Sequence, residues 1–246
     1  MDNLTAVAAS GLRSRMQSLE LLANNMANSS SRGYKADREI NTLYSAADAT
    51  NPALSSGQQQ SWIHQSWTDF SQGTLEPTGN TLDLALSGPG FLTVRGPSGN
   101  LYTRNGSLHV SITGDLLGPE DRAILDNKSK PVRIDPSQPF DISTSGDVTQ
   151  GGTTVAKLAV VEFSKPETLV KAGQSYFQST GAANAPVPST KTEIRQGQIE
   201  SSNTGPSEAA VRLVSVLRQF EMLQKAMTVG AEMNRHAMEE VAKVNP

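Results

Sequence analysis

The 246-residue chain contains no cysteine, which excludes disulfides, thiolate nucleophiles and thiolate metal ligands. Aromatic residues make up only 5% and apolar residues 36%, which is lean for one large compact core. Its 21 Lys and Arg nearly balance its 24 Asp and Glu, so we expect no nucleic-acid partner. No run approaches the roughly 20 apolar residues of a transmembrane helix, so we expect no membrane insertion. No cleavable secretory signal is recognisable at the start of the chain.

Apolar residues recur at helical spacing close to the N-terminus. The pattern predicts an amphipathic helix from residue 3 to about residue 27, with an apolar stripe that includes Leu4, Ala8, Leu12, Leu19, Leu22 and Met26. A polar run follows this helix, and Gly33 is its obvious candidate for a left-handed backbone conformation. The N-terminal segment is therefore expected to be a helix that ends in a short turn.

The last forty residues carry the strongest periodic signal in the chain. One seven-residue series consists of Leu213, Phe220, Met227, Asn234 and Val241. A second series, offset by three, consists of Ala209, Val216, Leu223, Gly230, Ala237 and Val244. This heptad pattern predicts a long helix that Asn203, Thr204 or Ser207 could cap. Packing in an ordinary core is one explanation, but a narrow apolar stripe at each chain end favours pairing of the two helices as a coiled-coil-like stem.

The middle of the chain, from about 73 to 195, has the pattern of a β domain. Short apolar runs alternate with Gly, Asp and Asn turns, which favours an antiparallel sandwich or barrel-like domain over a parallel sheet. The candidate strands are 82–86, 91–94, 108–112, 132–134, 140–142 and 155–163. Gly88-Pro89-Gly90 is interpreted as a hairpin turn, because a strand and not a helix follows it.

These patterns together predict the α+β class, with long terminal helices and a central all-β domain. The expected divisions are an N-terminal helix and motif (1–35), a connecting segment (36–75), the β domain (76–190), and a returning segment with the C-terminal helix (191–246). Residues 178–190 are polar and are interpreted as a flexible linker. A small apolar cluster, Trp62, Ile63, Trp67 and Phe70, is either an exposed contact surface or packed on the stem.

No constellation of residues points to catalysis. His64, His109 and His236 lie in three different regions, and His236 lacks the two-histidine spacing of a zinc helix. Asp115, Glu120, Asp121 and Asp126 do not follow the order of ligands in a calcium loop. We therefore expect no enzymatic activity, no metal and no cofactor.

Motifs at both chain ends resemble the bacterial flagellar rod and hook proteins. Residues 22–28 (Leu-Ala-Asn-Asn-Met-Ala-Asn) and the Gly33-Tyr34-Lys35 that follows resemble the N-terminal signature of that family. Residues 197–203 (Gly-Gln-Ile-Glu-Ser-Ser-Asn) and the long helix after them resemble its C-terminal signature. Further segments resemble its first β segment in order, namely 72–75, 82–86, 88–91 and 102–107.

The resemblance covers nearly the whole chain and is strongest to the proximal rod members. The length and the short spacer between Lys35 and Gln72 favour a proximal rod protein, with a distal rod or hook-type protein as the alternative. The resemblance implies a structural subunit of the periplasm-spanning rod in the flagellum basal body. Its implied partners are copies of itself, other flagellar rod proteins and the flagellar type III export apparatus, which exports subunits without a cleaved signal.

In this family the terminal helices pack into the inner tube of the rod, and the β domain lies outside them. The resemblance and the apolar stripes together predict an assembly interface. Its N-terminal part comprises Leu4, Leu12, Leu19, Leu22, Asn24, Asn25, Met26, Asn28, Gly33 and Tyr34. Its C-terminal part comprises Asn203, Leu213, Val216, Phe220, Leu223, Met227 and Val241.

Two other functions stay open on the sequence alone. One is a carbohydrate- or protein-binding β module with helical dimerisation arms, and the other is an enzyme whose site forms only between subunits. In the rod hypothesis, residues 1–35 and 200–246 are expected to be mobile in the monomer and to order on assembly.

Overall fold

The computed structural model describes residues 3–45, 59–173, 175–181 and 184–244. The chain is α+β, with a mostly β central part and one long helix near each end. It divides into two compact units. The helix unit comprises residues 1–27, 37–67 and 206–246, and the β body comprises residues 28–36 and 68–205.

The helix unit contains two long helices and one small sheet. Helix α1 spans Asn3–Ala27 and helix α2 spans Pro206–Val244, which confirms both predicted helices. The two helices pack against each other. Strands β1 (Asp37–Ser45) and β2 (Gln59–Thr68) form a two-stranded sheet, although the sequence of this region predicted only a connecting segment. Neither helix, as far as the structure describes it, is long and apolar enough to cross a membrane.

The heptad pattern of α2 coincides with its half-buried side. We call this side the heptad stripe, and it consists of Ala209, Leu213, Val216, Phe220, Leu223, Met227, Gly230 and Asn234. Of these residues, only Ala209 is fully buried. Helix α1 packs along α2, and an added Cβ at Gly11 of α1 would lie 3.7 Å from Leu223 Cδ1. The heptad period therefore marks the face of α2 that is covered within the chain.

Helix α1 buries polar side chains more deeply than its leucines. Ser14, Ser18 and Asn25 are buried, whereas Leu12, Leu19 and Leu22 are half-buried. The Asn25 side chain donates a hydrogen bond to the Asp37 carbonyl (2.7 Å) and accepts one from the Asp37 amide (3.0 Å). The Ser18 hydroxyl donates to the Glu39 carboxylate (2.6 Å), so β1 is attached to α1 by polar contacts.

The β body contains fifteen short strands within the described part of the chain. In chain order they are β3 Leu75–Pro77, β4 Leu84–Ser87, β5 Phe91–Gly96, β6 Gly99–Thr103, β7 His109–Val110, β8 Leu116–Leu117, β9 Phe140–Ile142, β10 Asp147–Gln150, β11 Thr153–Lys157, β12 Val160–Glu162, β13 Leu169–Lys171, β14 Tyr176–Ser179, β15 Val187–Pro188, β16 Glu193–Gln196 and β17 Gln198–Glu200.

The strands of the body pair antiparallel, as predicted, and form several small sheets. The largest sheet has the order β13-β14-β6-β5-β12-β15, and a three-stranded sheet has the order β11-β10-β9. Three further pairs are β16-β4, β17-β3 and β7-β8. The two strands nearest α2 in sequence therefore return to pair with the first two strands of the body.

Two apolar clusters form the core of the body. The larger one is aliphatic and includes the fully buried Leu84, Leu86 and Leu92. The smaller one is aromatic and includes Phe91 and Phe177. Phe70 packs on this second cluster, with edge-to-face ring contacts at 5.6 Å and 5.0 Å from those two rings. Phe70 thus belongs to the core of the body, while the side chains of Trp62 and Ile63 lie outside the described residues.

Several local predictions for the β region were wrong. Strand β4 buries Leu84, Ala85 and Leu86 in succession instead of alternating, because other elements cover both of its faces. Strand β7 ends at Val110, and Ile112 is fully exposed in the turn that follows. Residues 132–134 are not a strand, and of these three only Arg133 forms an isolated bridge, to Asp115.

Two polar segments were also misinterpreted. Gly88-Pro89-Gly90 does not form a hairpin, because the flanking strands β4 and β5 pair with different partners. The predicted linker 178–190 contains the end of β14 and all of β15, which pairs with β12. Strand β15 lies at the edge of the six-stranded sheet, and a short edge strand needs few apolar residues, so the polar composition of this segment hid it.

Candidate functional site

The motifs from the two chain ends meet within the β body. Residues 33–36, which precede β1, lie against residues 69–73 and 200–203 and against Arg104. We call this group the joint. Along the sequence, residues 28–32 connect α1 to the joint, and residues 204–205 connect the joint to α2.

Backbone contacts bring the two motifs close together. The Gly33 amide donates to the Glu200 carbonyl (2.7 Å), and the Asn203 amide donates to the Tyr34 carbonyl (3.3 Å). Gly33 has a φ of +64°, and an added Cβ would lie 2.4 Å from the carbonyl carbon of Arg104. The predicted left-handed conformation is confirmed, but its role differs because α1 already ends at Ala27. Glycine is required here both by φ and by the approach of another backbone.

The Asn203 carboxamide links three segments of the joint. Its Oδ1 accepts from the Ala36 amide (2.8 Å), and its Nδ2 donates to the Asp69 carbonyl (2.6 Å). Nδ2 also lies within hydrogen-bond distance of the Ser71 carbonyl (3.3 Å). Asn203 therefore does not cap α2, which begins three residues later at Pro206. Its side chain is used to bond the N-terminal motif to the returning segment.

A buried ion cluster lies at the centre of the joint. The Glu200 carboxylate accepts from Lys35 Nζ (2.6 Å), from the Gly73 amide (2.9 Å) and from an Arg104 guanidinium nitrogen (3.3 Å). Lys35 Nζ also donates to the Ser71 carbonyl (2.7 Å). The side chains of Lys35 and Glu200 are both 0% exposed. Two cations thus share one carboxylate in a site without access to water.

Burial affects the ionisation of both cations in the cluster. Desolvation lowers the pKa of Lys35 below its usual value, while the Glu200 carboxylate opposes this shift and the Arg104 charge adds to it. Desolvation also lowers the pKa of Arg104, again opposed by Glu200. Arg104 has a further favourable contact, because its guanidinium lies 4.9 Å from the centre of the Phe91 ring. Glu200 is therefore the group that makes burial of both charges tolerable.

A second lysine, Lys171, also contacts the joint. Lys171 Nζ donates to the Lys35 carbonyl (2.8 Å) and lies 4.5 Å from the centre of the Tyr34 ring. Tyr34 is only 2% exposed, so its ring is part of the interior of the body. The Gly-Tyr-Lys motif is thus held through its backbone, its aromatic ring and its charge.

The remaining predicted interface residues lie on or next to the helices. Leu12, Leu19, Leu22 and Asn28 are half-buried, Asn25 is buried against β1, and Asn24 and Met26 are exposed. Leu213, Val216, Phe220, Leu223 and Met227 lie on the heptad stripe. Leu4 and Val241 lie within α1 and α2, and their side chains are outside the described residues. Gly33, Tyr34 and Asn203 come together in the joint, where they make contacts within the chain; contact of any of these residues with another subunit stays a prediction.

The described residues contain no group of three His, Asp or Glu side chains placed to hold a metal ion. The acidic residues of the 115–126 region make local contacts. Asp115 pairs with Arg133 at 2.9 Å, and Asp126 Oδ1 accepts from the Lys128 and Lys130 amides at 2.8 Å. His109 is exposed on strand β7, and its ring lies 2.7 Å from Asp121.

Two family models match separate parts of the chain. The model described as flagellar hook protein FlgE/F/G D1 domain matches residues 85–150, which lie in the β body. The model described as flagellar basal body rod FlgEFG protein C-terminal matches residues 195–239, which include Glu200, Asn203 and most of α2.

Full-length relatives agree with these matches. The chain is 30% identical over 250 residues to the flagellar basal-body rod protein FlgF of Caulobacter vibrioides, with all of both chains covered. It is 27% identical over 255 residues to FlgG of Agrobacterium fabrum, covering 93% of this chain and 95% of the relative. It is 26% identical over 223 residues to FlgF of Mesorhizobium japonicum, covering 90% of each. With both terminal motifs in one joint and a relative of this identity along its whole length, this chain belongs to the flagellar basal-body rod protein family.

Proposed function

We propose that this chain is a structural subunit of the proximal part of the flagellar rod, the shaft that transmits motor torque. The observation that carries the proposal is that the two terminal motifs form one buried joint, which the chain connects directly to both long helices. Similarity to FlgF along the whole chain supports the proximal position. Similarity to FlgG, at 27% identity, makes a distal rod subunit the alternative.

The surface of α2 supports assembly with further chains. On the side away from the heptad stripe, apolar side chains recur at helical spacing; this outer stripe consists of Val211, Val214, Met222, Val229 and Met233. Val211 is 71% exposed and Met233 is 68% exposed, so no part of the described chain covers them. Exposed apolar rows of this length are typical of surfaces that bind another protein.

The assembly we propose uses the two stripes of α2 differently. The heptad stripe pairs α2 with α1 of the same chain as a coiled-coil-like stem, and the outer stripe contacts helices of neighbouring subunits. A head-to-tail contact of this kind produces an open helical assembly when its rotation does not close a ring. The helix unit would then form the inner part of the rod, and the β body, which includes residues 28–35 and 191–205 of the segments expected to lie inside, would lie outside it.

The partners follow from this arrangement. They are copies of the same chain, the adjoining rod proteins and the flagellar type III export apparatus, which would deliver the chain to the rod. The function is structural, and no catalytic step or cofactor is part of it.

The proposal is tested by replacing three residues of the outer stripe together, Val211→Ser, Met222→Ser and Met233→Ser. These side chains contribute little to the stability of the isolated chain because they are exposed. The free energy of unfolding of the variant should therefore stay within about 0.5 kcal/mol of the wild-type value. In a strain that lacks the gene, the variant should fail to restore swimming. Electron microscopy of purified basal bodies should show which section of the rod is missing, and loss of the distal section alone would favour the distal assignment.

A matched control uses exposed polar positions of the same helix, Gln224→Ser and Thr228→Ser. This control should assemble and support swimming. Full swimming by the outer-stripe variant would contradict the proposal, as would a closed dimer of wild-type chain that never grows at high concentration. The latter result would instead support a binding module with dimerisation arms.

A further inference from the structure

The joint combines segments that lie far apart in the sequence. Glu200 is 165 residues from Lys35, 127 residues from Gly73 and 96 residues from Arg104, and its carboxylate bonds to all three. Its carbonyl also accepts the Gly33 amide. One residue near the start of α2 therefore bonds to the motif that follows α1, to the segment before β3 and to the end of β6.

The joint contains two buried cations and one buried carboxylate. The two cations differ in the favourable contacts that they make besides Glu200. Arg104 keeps the Phe91 ring and the attraction of Glu162 if Glu200 loses its charge. Among the described residues, Lys35 then keeps only the Ser71 carbonyl and the attraction of Asp69 as favourable partners. Without the Glu200 charge, the buried charge of Lys35 is therefore less well stabilised than that of Arg104.

The two cations also differ in how they can reach water. Arg104 directly follows β6, which is a central strand of the six-stranded sheet, so it cannot leave without disrupting that sheet. Residues 33–36 belong to no helix or strand, so their release would break no strand pairing of the body. Loss of the Glu200 charge should consequently release the N-terminal motif and leave the sheet intact.

We infer that Glu200 is the positioning residue that holds the N-terminal motif in the joint, and that Lys35 makes this attachment conditional on the Glu200 charge. Attachment of the segment that leads from α1 therefore requires that the chain be complete as far as β17. This inference concerns the isolated chain and does not rest on the proposed function in the rod.

The experiment compares full-length Glu200→Gln, Lys35→Met and the Lys35→Met/Glu200→Gln double variant. Two readouts report on the motif: the rate of tryptic cleavage after Arg32 and the hydrogen exchange of the Gly33 amide. Cleavage after Arg95 and Arg122 reports on the body. Removing one partner of a buried ion pair is strongly destabilising, so Glu200→Gln should speed cleavage after Arg32 and exchange at Gly33 by about a hundredfold.

The double variant carries the decisive result. It retains one buried cation instead of two. Trypsin should therefore cleave it after Arg32 about tenfold more slowly than it cleaves Glu200→Gln. Lys35→Met alone leaves the Glu200–Arg104 pair and should stay within about tenfold of the wild type. If the Lys35–Glu200 contact were merely structural, the double variant would be cleaved after Arg32 at least as fast as either single variant.

Glu193→Gln is the matched control, because Glu193 is an exposed glutamate of the neighbouring strand β16 and pairs only with Arg195 among the described side chains. It should leave all rates unchanged. If Glu200→Gln unfolds the whole body, cleavage rises at every site, and rescue by Lys35→Met remains the test. The inference is overturned if the double variant is cleaved as fast as Glu200→Gln, or if Glu200→Gln behaves as the wild type.

Discussion

The β body and the helix unit bury their apolar residues to very different extents. In the body, Leu84, Leu86, Leu92 and Val94 are fully buried in one continuous cluster. In α2, Ala209 is the one fully buried residue of the heptad stripe, and a second apolar row faces outward. Burial of apolar surface is the main source of folding free energy. The body therefore has a core of its own, whereas the helices expose surface that can gain stability from further contacts.

The joint belongs to the body in this comparison, although its residues were expected to belong with the helices. Tyr34, Lys35 and Glu200 are as buried as the residues of the aliphatic cluster. Mobility in the monomer, expected for 1–35 and 200–246, is therefore predicted only for the parts of these segments that lie outside 28–36 and 200–205.

The largest expected effect tests whether the joint is part of the body's stability. Gly33→Ala forces a Cβ to within 2.4 Å of the Arg104 backbone at a φ of +64°. Because the neighbour is backbone and cannot rotate away, we expect a loss of about 4 kcal/mol or more in the free energy of unfolding. Urea denaturation followed by circular dichroism measures it.

Gly79→Ala is the matched control for this substitution. Gly79 also has a positive φ, +72°, but an added Cβ would meet nothing within 4 Å. Only backbone strain remains, at about 1 kcal/mol. Equal losses for Gly33→Ala and Gly79→Ala would mean that the close approach of the two motifs adds nothing to stability.

A direct comparison of the two units comes from one leucine in each. Leu86→Ala leaves a cavity in the closed core of the body and should cost about 3 kcal/mol of unfolding free energy. Leu223→Ala removes a half-buried side chain of the heptad stripe and should cost about 1 kcal/mol. Urea midpoints of the two purified variants decide this, and a cost at Leu223 as large as that at Leu86 would remove the distinction between the units.

The smallest effect concerns pH and the interior of the body. Tyr176 is fully buried and donates to the Pro119 carbonyl, and burial together with Glu120 raises the pKa of its hydroxyl. A raised pKa for an acid favours the folded state below the unfolded pKa of about 10, and that contribution is lost as pH rises above it. Tyr176→Phe should cost about 1 kcal/mol at pH 7 through the lost hydrogen bond.

The same variant should show a shallower decline in stability above pH 10 than the wild type. Urea midpoints measured from pH 8 to pH 11 test this prediction. Parallel curves for the wild type and Tyr176→Phe would show that the Tyr176 hydroxyl does not titrate with unfolding.

The helices were predictable because positions on one face of a helix share the same burial, so apolar residues recur at helical spacing along the sequence. The bounds of α1 were predicted to within a residue, and the heptad series of α2 coincides with its half-buried side. Strands were harder to predict, because burial on both faces removes alternation. Leu84-Ala85-Leu86 and the exposed Ile112 are the two clearest examples.

The joint could not be predicted from one sequence. Lys35 and Glu200 belong to two different sequence motifs, but nothing local indicates that residues 165 positions apart form an ion pair. Arg104 likewise gives no signal of burial, because a charged residue after a strand is ordinarily exposed. Asn203 was misinterpreted as a helix cap because its position before α2 fits that role as well.

The polar contacts between α1 and β1 have a mechanical consequence. Asn25 exchanges two hydrogen bonds with the Asp37 backbone, and Ser18 lies two turns away and bonds to Glu39. Sliding of α1 by one turn along its axis would leave these groups without partners at the same time, and each such loss in a buried site is costly. An apolar contact is not directional and tolerates such sliding far more readily. Ser18 and Asn25 therefore give α1 a resistance to axial displacement that its half-buried leucines alone would not provide.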